Sequence, residues 1–163
     1  PLTTHQVSSA ASDVYKRQAC LEYENTLKKI KEIDPTIEVN KIPQFRLPAA
    51  KTYYTIESLN LGDKVHDKVF KDWQLKRKPL GSDKDVENFA KRHNLDVENF
   101  MRVYNSFSIN IKAKNAIAVP RKLIENGIDF KGTPTVVVNG KYIVTRQRNV
   151  SKEIENIIFL LNK

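Results

Sequence analysis

Apolar residues near the start of the chain are spaced first as in a helix and then as in a strand. The segment after residue 19 carries them at steps of three, four and three, which places them on one helix face: Cys20, Tyr23, Leu27 and Ile30. Asp34-Pro35 ends this helix, because a residue before proline is disfavoured in the α region. Apolar and polar residues then alternate from Ile37, which predicts a short strand that closes at Pro43.

The long central segment, residues 48–126, has mostly helical spacing. Ser82 and Asp96 each precede an apolar helical pattern, so both are predicted to cap helices. Pro120 must kink or begin a helix in the stretch that Gly127 ends. Several helices are therefore predicted between the first strand and the end of the chain.

The side chains of this helical segment fall into two expected groups. Four aromatic residues are predicted to form its core: Trp73, Phe89, Phe100 and Tyr104. His66 and His93 lie on polar faces, and we expect both to be solvated.

The end of the chain switches to strand spacing. Thr135–Val138 is a continuous β-branched run, typical of a strand that is buried on both faces. Asn139-Gly140 is a strong hairpin signal, since a type I′ turn needs positive φ at both positions. Residues 141–144 supply the returning strand, and a last amphipathic helix begins at Ser151. The element order predicts an α/β sheet domain interrupted by a helical insertion.

Residues 1–18 differ from the rest of the chain because no apolar period runs through them. The codons GAT GTG TAT AAG AGA CAG encode Asp13–Gln18, and this DNA is similar to the mosaic end of a transposon used to prepare sequencing libraries. We therefore expect residues 1–18 to be a translated adapter, with the natural sequence beginning at Ala19. The alternative is an ordinary disordered N-terminus. In both cases we expect the sheet to lack its first strand.

Composition narrows the classes of function. The net charge is +9, but acidic and basic residues interleave along the chain, so a nucleic-acid partner is not expected. One cysteine and three scattered histidines predict neither an internal disulfide nor a metal site. No Gly-rich phosphate loop is present, so no nucleotide cofactor is implied. The sequence contains no run of 18 apolar residues, so it does not predict a transmembrane helix.

The segment Gly132-Thr133-Pro134-Thr135-Val136-Val137-Val138-Asn139-Gly140-Lys141-Tyr142 is the most specific part of the sequence. It resembles the cis-proline loop and following hairpin of the thioredoxin superfamily, and of the DsbA family in particular. That resemblance implies a thioredoxin-like fold with an inserted helical domain. It assigns residues 19–46 and 128–163 to the thioredoxin-like domain and residues 47–127 to the insertion.

The first helix agrees with this resemblance. In DsbA-like proteins a C-x-x-C motif opens the helix. An aromatic or aliphatic residue, Glu and Leu follow its second cysteine with the spacing seen here: Tyr23, Glu24 and Leu27. Cys20 is then similar to the second, resolving cysteine, and Arg17 stands where the first would be. Truncation just after the first cysteine would explain this departure. In the alternative register Cys20 is itself the nucleophile. The spacing of Tyr23, Glu24 and Leu27 then no longer matches the family pattern, and the charge of Glu22 would oppose formation of a thiolate.

The resemblance implies a thiol:disulfide oxidoreductase that introduces disulfides into exported proteins. Cys20 would be its catalytic residue, and Thr133 with Pro134 would form the substrate-facing loop. Its partners would be extended cysteine-containing polypeptides and a membrane thiol oxidase, and its compartment the bacterial periplasm. With one cysteine the chain should be a poor oxidase, so the alternative is a catalytically inactive thioredoxin-like module that binds peptides.

Overall fold

The computed structural model of the chain describes residues 6–12, 18–44, 46–127, 130, 134–144, 147 and 149–163. Within these residues four strands and seven helices alternate in an order typical of an interrupted α/β domain. The elements are β1 (Gln6–Ser12), α1 (Gln18–Ile33), β2 (Glu38–Gln44), α2 (Leu47–Ser58), α3 (Asp63–Gln74), α4 (Asp83–Arg92), α5 (Val97–Tyr104), α6 (Phe107–Glu125), β3 (Thr135–Val138), β4 (Tyr142–Val144) and α7 (Val150–Leu161).

The four strands form one sheet in the order β2-β1-β3-β4. Strand β1 is parallel to β2, with Val7 opposite Val39, and antiparallel to β3, with Ala10 opposite Thr135. The hairpin between β3 and β4 forms as predicted, because Asn139 and Gly140 both adopt positive φ, at 49° and 67°. Strand β4 begins at Tyr142, one residue later than expected.

The expectation that the sheet lacks its first strand is wrong, because Gln6–Ser12 occupies the position between β2 and β3. This segment is rich in Ser and Ala, which have little preference for strands, so its sequence gave no strand signal. The reason for the difference is the tertiary position. Strands β2 and β3 each offer a row of backbone donors and acceptors, and a chain between them satisfies both rows. The origin of residues 1–18 stays a prediction.

Two hydrophobic cores occupy different parts of the described structure. The sheet core is formed by α1, the strands and α7, and its buried members include Leu27, Ile30, Val138 and Ile157. The helical core is formed by α2 to α6 and includes three of the four predicted aromatic residues, Phe89, Phe100 and Tyr104. Trp73 packs against it and is partly buried.

The predicted caps of the helical segment are present. Ser82 Oγ accepts from the Asp85 N–H at 3.2 Å and Asp85 Oδ2 accepts from the Ser82 N–H at 2.9 Å, which is a capping box at the start of α4. Asp96 Oδ1 accepts from the Asn99 N–H at 3.0 Å and caps α5. Gly127 has φ +75° and follows the end of α6, as expected of a C-terminal glycine.

Pro120 does not begin a helix, because α6 starts at Phe107 and continues through it. Proline has no N–H, so the Ala116 carbonyl four residues earlier loses its helical partner. Gln44 at the end of β2 replaces that partner, since its Nε2 donates a hydrogen bond to the Ala116 carbonyl oxygen. The last residue of a sheet strand is thus tied to the middle of the longest helix.

The expectation that His66 and His93 are solvated is wrong. His66 Nε2 lies 2.8 Å from Glu57 Oε1, and His93 Nε2 lies 2.8 Å from Asp72 Oδ2; both histidines are half-buried. The polar face of each helix meets an acidic residue of a neighbouring helix, which a one-dimensional pattern does not reveal.

Asp72 is the buried centre of a charged cluster between α3 and α4. Its carboxylate accepts hydrogen bonds from Arg92 Nη2 at 2.9 Å and from His93, and Lys76 Nζ lies 3.0 Å from Oδ1. Burial by itself raises the pKa of Asp72, but the hydrogen bonds from Arg92, His93 and Lys76 outweigh it and hold the pKa well below its usual range. The carboxylate is therefore ionised at neutral pH and ties the two helices together.

Candidate active site at the carboxyl edge of the sheet

Cys20 is the third residue of α1, the helix that follows the central strand β1 after five residues. The first turn of a helix has backbone N–H groups without intrahelical partners, and the helix dipole is positive there. The first turn of α1 contains no acidic residue. A cysteine at such a position is favoured as a thiolate, the form that attacks disulfides.

Pro134 lies at the same edge of the sheet as the start of α1. It directly precedes β3 and is half-buried. Because Ala10 pairs with Thr135, the beginning of β3 is next to the end of β1, from which the chain passes to α1. The structure therefore brings Pro134 to the edge where the helix of Cys20 begins. Thr133 and Arg17 lie outside the described residues.

An ion pair joins β2 to α1 close to this edge. Lys41 Nζ lies 2.6 Å from Glu24 Oε2, and both side chains are largely shielded from water. Glu24 follows Cys20 by four residues, so the two positions share one face of the helix. A carboxylate without a partner there would disfavour a thiolate, and the ammonium group of Lys41 compensates its charge. Glu24 could be recognised in the sequence, but Lys41 could not, because only the pairing of β2 beside β1 brings Lys41 to α1.

His66 and Tyr53 lie near this ion pair, on the helical side. The two rings are 4.8 Å apart between centroids. Burial lowers the pKa of His66, the hydrogen bond that Glu57 accepts from it opposes that effect, and the positive charge of Lys41 lowers the pKa further. His66 is therefore neutral at pH 7, and Lys41 is the cation that faces Glu24.

The described residues include no group of His, Cys, Asp and Glu that is placed to hold a metal ion. Among the described helices, none has the length and apolar character needed to cross a membrane.

The strand order, the helical segment between β2 and β3, and the cysteine after the central strand define a thioredoxin-like fold with an inserted helical domain. Solved structures have the same fold. The match to a Pseudomonas aeruginosa DsbA variant covers 99% of this chain and 88% of the chain of that variant, with a TM-score of 0.79 and 21% sequence identity. The match to the DsbA oxidoreductase of Xylella fastidiosa covers 99% of this chain and 86% of that chain, with a TM-score of 0.77 and 18% sequence identity.

Sequence comparison identifies the family within this class. The chain is 30% identical over 128 residues to the thiol:disulfide interchange protein DsbA of Burkholderia cepacia, covering 76% of this chain and 58% of that protein. It is 32% identical over 90 residues to the DsbA of Pseudomonas aeruginosa, which covers 55% of this chain and 40% of that protein. No family model matches the chain. The chain is therefore a relative of the DsbA-like proteins of the thioredoxin superfamily, and it spans about half the length of the curated relatives it matches.

Proposed function

We propose that the chain is a thiol:disulfide oxidoreductase of DsbA type, with Cys20 as its catalytic residue. The observation that carries this proposal is the position of Cys20 in the first turn of α1, the helix that follows the central strand, at the same edge as Pro134. Relatives named as thiol:disulfide interchange proteins support the same activity. Residues 47–127 would be an inserted domain with a core of its own, because its buried residues form a separate cluster.

The chemistry of a single cysteine is thiol–disulfide exchange. The Cys20 thiolate attacks one sulfur of a partner's disulfide, a new S–S bond forms between the two chains, and the other partner sulfur leaves as a thiolate that takes up a proton. A full oxidase needs a second cysteine. Its intramolecular disulfide is attacked by one substrate thiolate, and a second substrate thiolate resolves the mixed disulfide. Two electrons thereby pass from the substrate to the enzyme. Arg17 stands where that cysteine would be, so the chain as it stands should form mixed disulfides only.

Thr133 and Pro134 would form the loop that faces the substrate. Pro134 has no N–H to add to a regular ladder, and by resemblance the backbone of Thr133 would pair with an extended polypeptide. The partners would be exported, cysteine-containing polypeptides and a membrane thiol oxidase that reoxidises the protein. Such chemistry persists in an oxidising compartment, so we place the protein in the bacterial periplasm.

The test restores the second thiol. Arg17→Cys in the full chain should form a disulfide with Cys20 when oxidised with glutathione, and the oxidised variant should then oxidise a reduced, unfolded substrate protein. Loss of both free thiols is measured by alkylation and mass spectrometry. The parent chain and the double variant Arg17→Cys/Cys20→Ser are the controls, and neither should form an internal disulfide. A folded variant that keeps two free thiols under these conditions would refute the assignment of Cys20.

A second candidate function is a catalytically inactive module that binds extended peptides beside Pro134. The single cysteine favours this reading. It predicts that Cys20→Ser binds an unfolded, cysteine-free polypeptide as tightly as the parent chain does, and that peptide binding depends on Pro134. If binding needs a cysteine in both partners and is released by a reductant, the oxidoreductase is favoured instead.

A further inference from the structure

The long helix α6 has an outer face whose side chains are exposed. Its inner face is made of small and aliphatic residues, Ile109, Ala113 and Ala116, which are buried. At 3.6 residues per turn, seven exposed residues share an arc of about 140° that faces largely away from these buried residues. We call them the α6 outer face: Phe107, Ile111, Lys114, Ile117, Arg121, Ile124 and Glu125.

This face is unusually apolar for an exposed surface. Phe107 is 80% exposed and Ile124 is 58% exposed, at opposite ends of a helix that is about 28 Å long. Ile111 and Ile117 lie between them and are also exposed. Single exposed apolar residues need no explanation, but four along one helix face are typical of an interaction surface.

The same face carries positive charge. Lys114 and Arg121 lie between the apolar residues and Lys122 lies beside them, whereas Lys112 lies on another side of the helix. Glu125, at the last position, shares the face with these cations and is the one acidic residue of the helix. The helix therefore combines four cations with exposed apolar side chains, and its charge is complementary to an anionic surface.

We propose that the α6 outer face docks the protein on an anionic lipid bilayer. A single helix presents a convex ridge, which suits the interfacial layer of a membrane, where apolar side chains enter between headgroups and lysine and arginine reach phosphates. Each basic residue near such a surface strengthens binding about fivefold. The substitutions in its test alter neither Cys20 nor Pro134, so the test does not depend on the thiol chemistry.

The experiment measures co-sedimentation of the full chain with vesicles made of phosphatidylglycerol and phosphatidylethanolamine in equal parts, and with vesicles of phosphatidylcholine alone. We expect binding to the anionic vesicles only. The pair Lys114→Gln/Arg121→Gln should lower the partition coefficient roughly 25-fold. The matched control pair Lys28→Gln/Lys29→Gln removes the same charge from the exposed face of α1 and should lower it far less.

A second comparison separates insertion from attraction by charge. Phe107→Ser should lower the partition coefficient roughly tenfold, as expected when one phenylalanine no longer leaves water. Phe159→Ser, which alters a residue on α7 that is 60% exposed, should change it little. Equal losses for the two glutamine pairs would overturn the proposal, because binding would then follow net charge alone. If the parent chain fails to bind anionic vesicles, the proposal of a lipid bilayer is refuted. An acidic protein would then be the partner expected for the α6 outer face.

Discussion

The bond between Gln44 and the Ala116 carbonyl allows a sharp test of how the sheet is tied to the helical segment. Pro120 deprives that carbonyl of its helical donor, and Gln44 Nε2 supplies another. We therefore expect Gln44→Leu to destabilise the protein when residue 120 is proline. When Pro120→Ala restores a backbone N–H in α6, the same change should cost much less.

The magnitude follows from the burial of the acceptor. Ala116 is 3% exposed, so its carbonyl cannot exchange the lost bond for water. A buried acceptor left without a partner costs about 1–3 kcal/mol, whereas loss of one bond from an acceptor that keeps another costs below about 1 kcal/mol. The double-mutant cycle should therefore give a coupling free energy of about 1–2 kcal/mol between positions 44 and 120.

The assay is urea unfolding at pH 7, followed by the fluorescence of Trp73, the single tryptophan. Gln44→Leu is compared with its parent in both backgrounds, so any effect of Pro120→Ala by itself cancels. Asn115→Leu, at an exposed position of α6, is the control and should be nearly neutral in both backgrounds. An equal cost of Gln44→Leu in the two backgrounds would show that the amide does not replace the missing helical donor.

Three further predictions concern charges and caps. Asp72→Asn should lower the free energy of unfolding by about 3 kcal/mol at pH 7, because it breaks a buried ion cluster. Since the folded pKa of Asp72 is lowered, the contribution is complete above about pH 5. It begins to fall below the unfolded value near 4 and is lost only as the pH falls through the lowered folded pKa. Lys41→Met should slow alkylation of Cys20 severalfold at pH 7, while Lys28→Met should not. Ser82→Ala should cost about 1 kcal/mol.

Each of these has a clear contrary result. A destabilisation by Asp72→Asn that is the same at pH 3 as at pH 7 would mean that the charge of Asp72 is not what holds α3 to α4. Unchanged alkylation in Lys41→Met, measured by mass spectrometry, would mean that the ion pair with Glu24 does not act on the cysteine. An unaltered urea midpoint in Ser82→Ala would remove the capping box as a source of stability.

Local features were predictable because short-range chemistry decides them. A capping residue acts within three positions, so Ser82 and Asp96 could be recognised in the sequence. The Asn139-Gly140 turn needs only residues that tolerate positive φ. The helix of Cys20 and the β-branched strand after Pro134 were predicted for the same reason, and with them the DsbA-like resemblance.

Features that depend on partners distant in sequence were not predictable. Strand β1 has a composition that does not favour a strand, and it forms where β2 and β3 leave a place between them. The sequence pattern predicts that His93 is solvated, because it does not reveal that α3 places Asp72 beside this histidine. Lys41 has no sequence signal at all, since its partner Glu24 is reached only when β2 packs beside α1.

The sequence by itself determined the local elements, the fold class and the position of the single cysteine at the start of a helix. Apolar spacing, caps and turn residues carry that information within a few positions of each other. The tertiary structure decided which strand lies at the centre of the sheet and which charges meet. It also decided that the Ala116 carbonyl left by Pro120 is satisfied by Gln44. These outcomes depend on packing between distant segments, where the cost of an unpaired buried group outweighs the preferences of single residues.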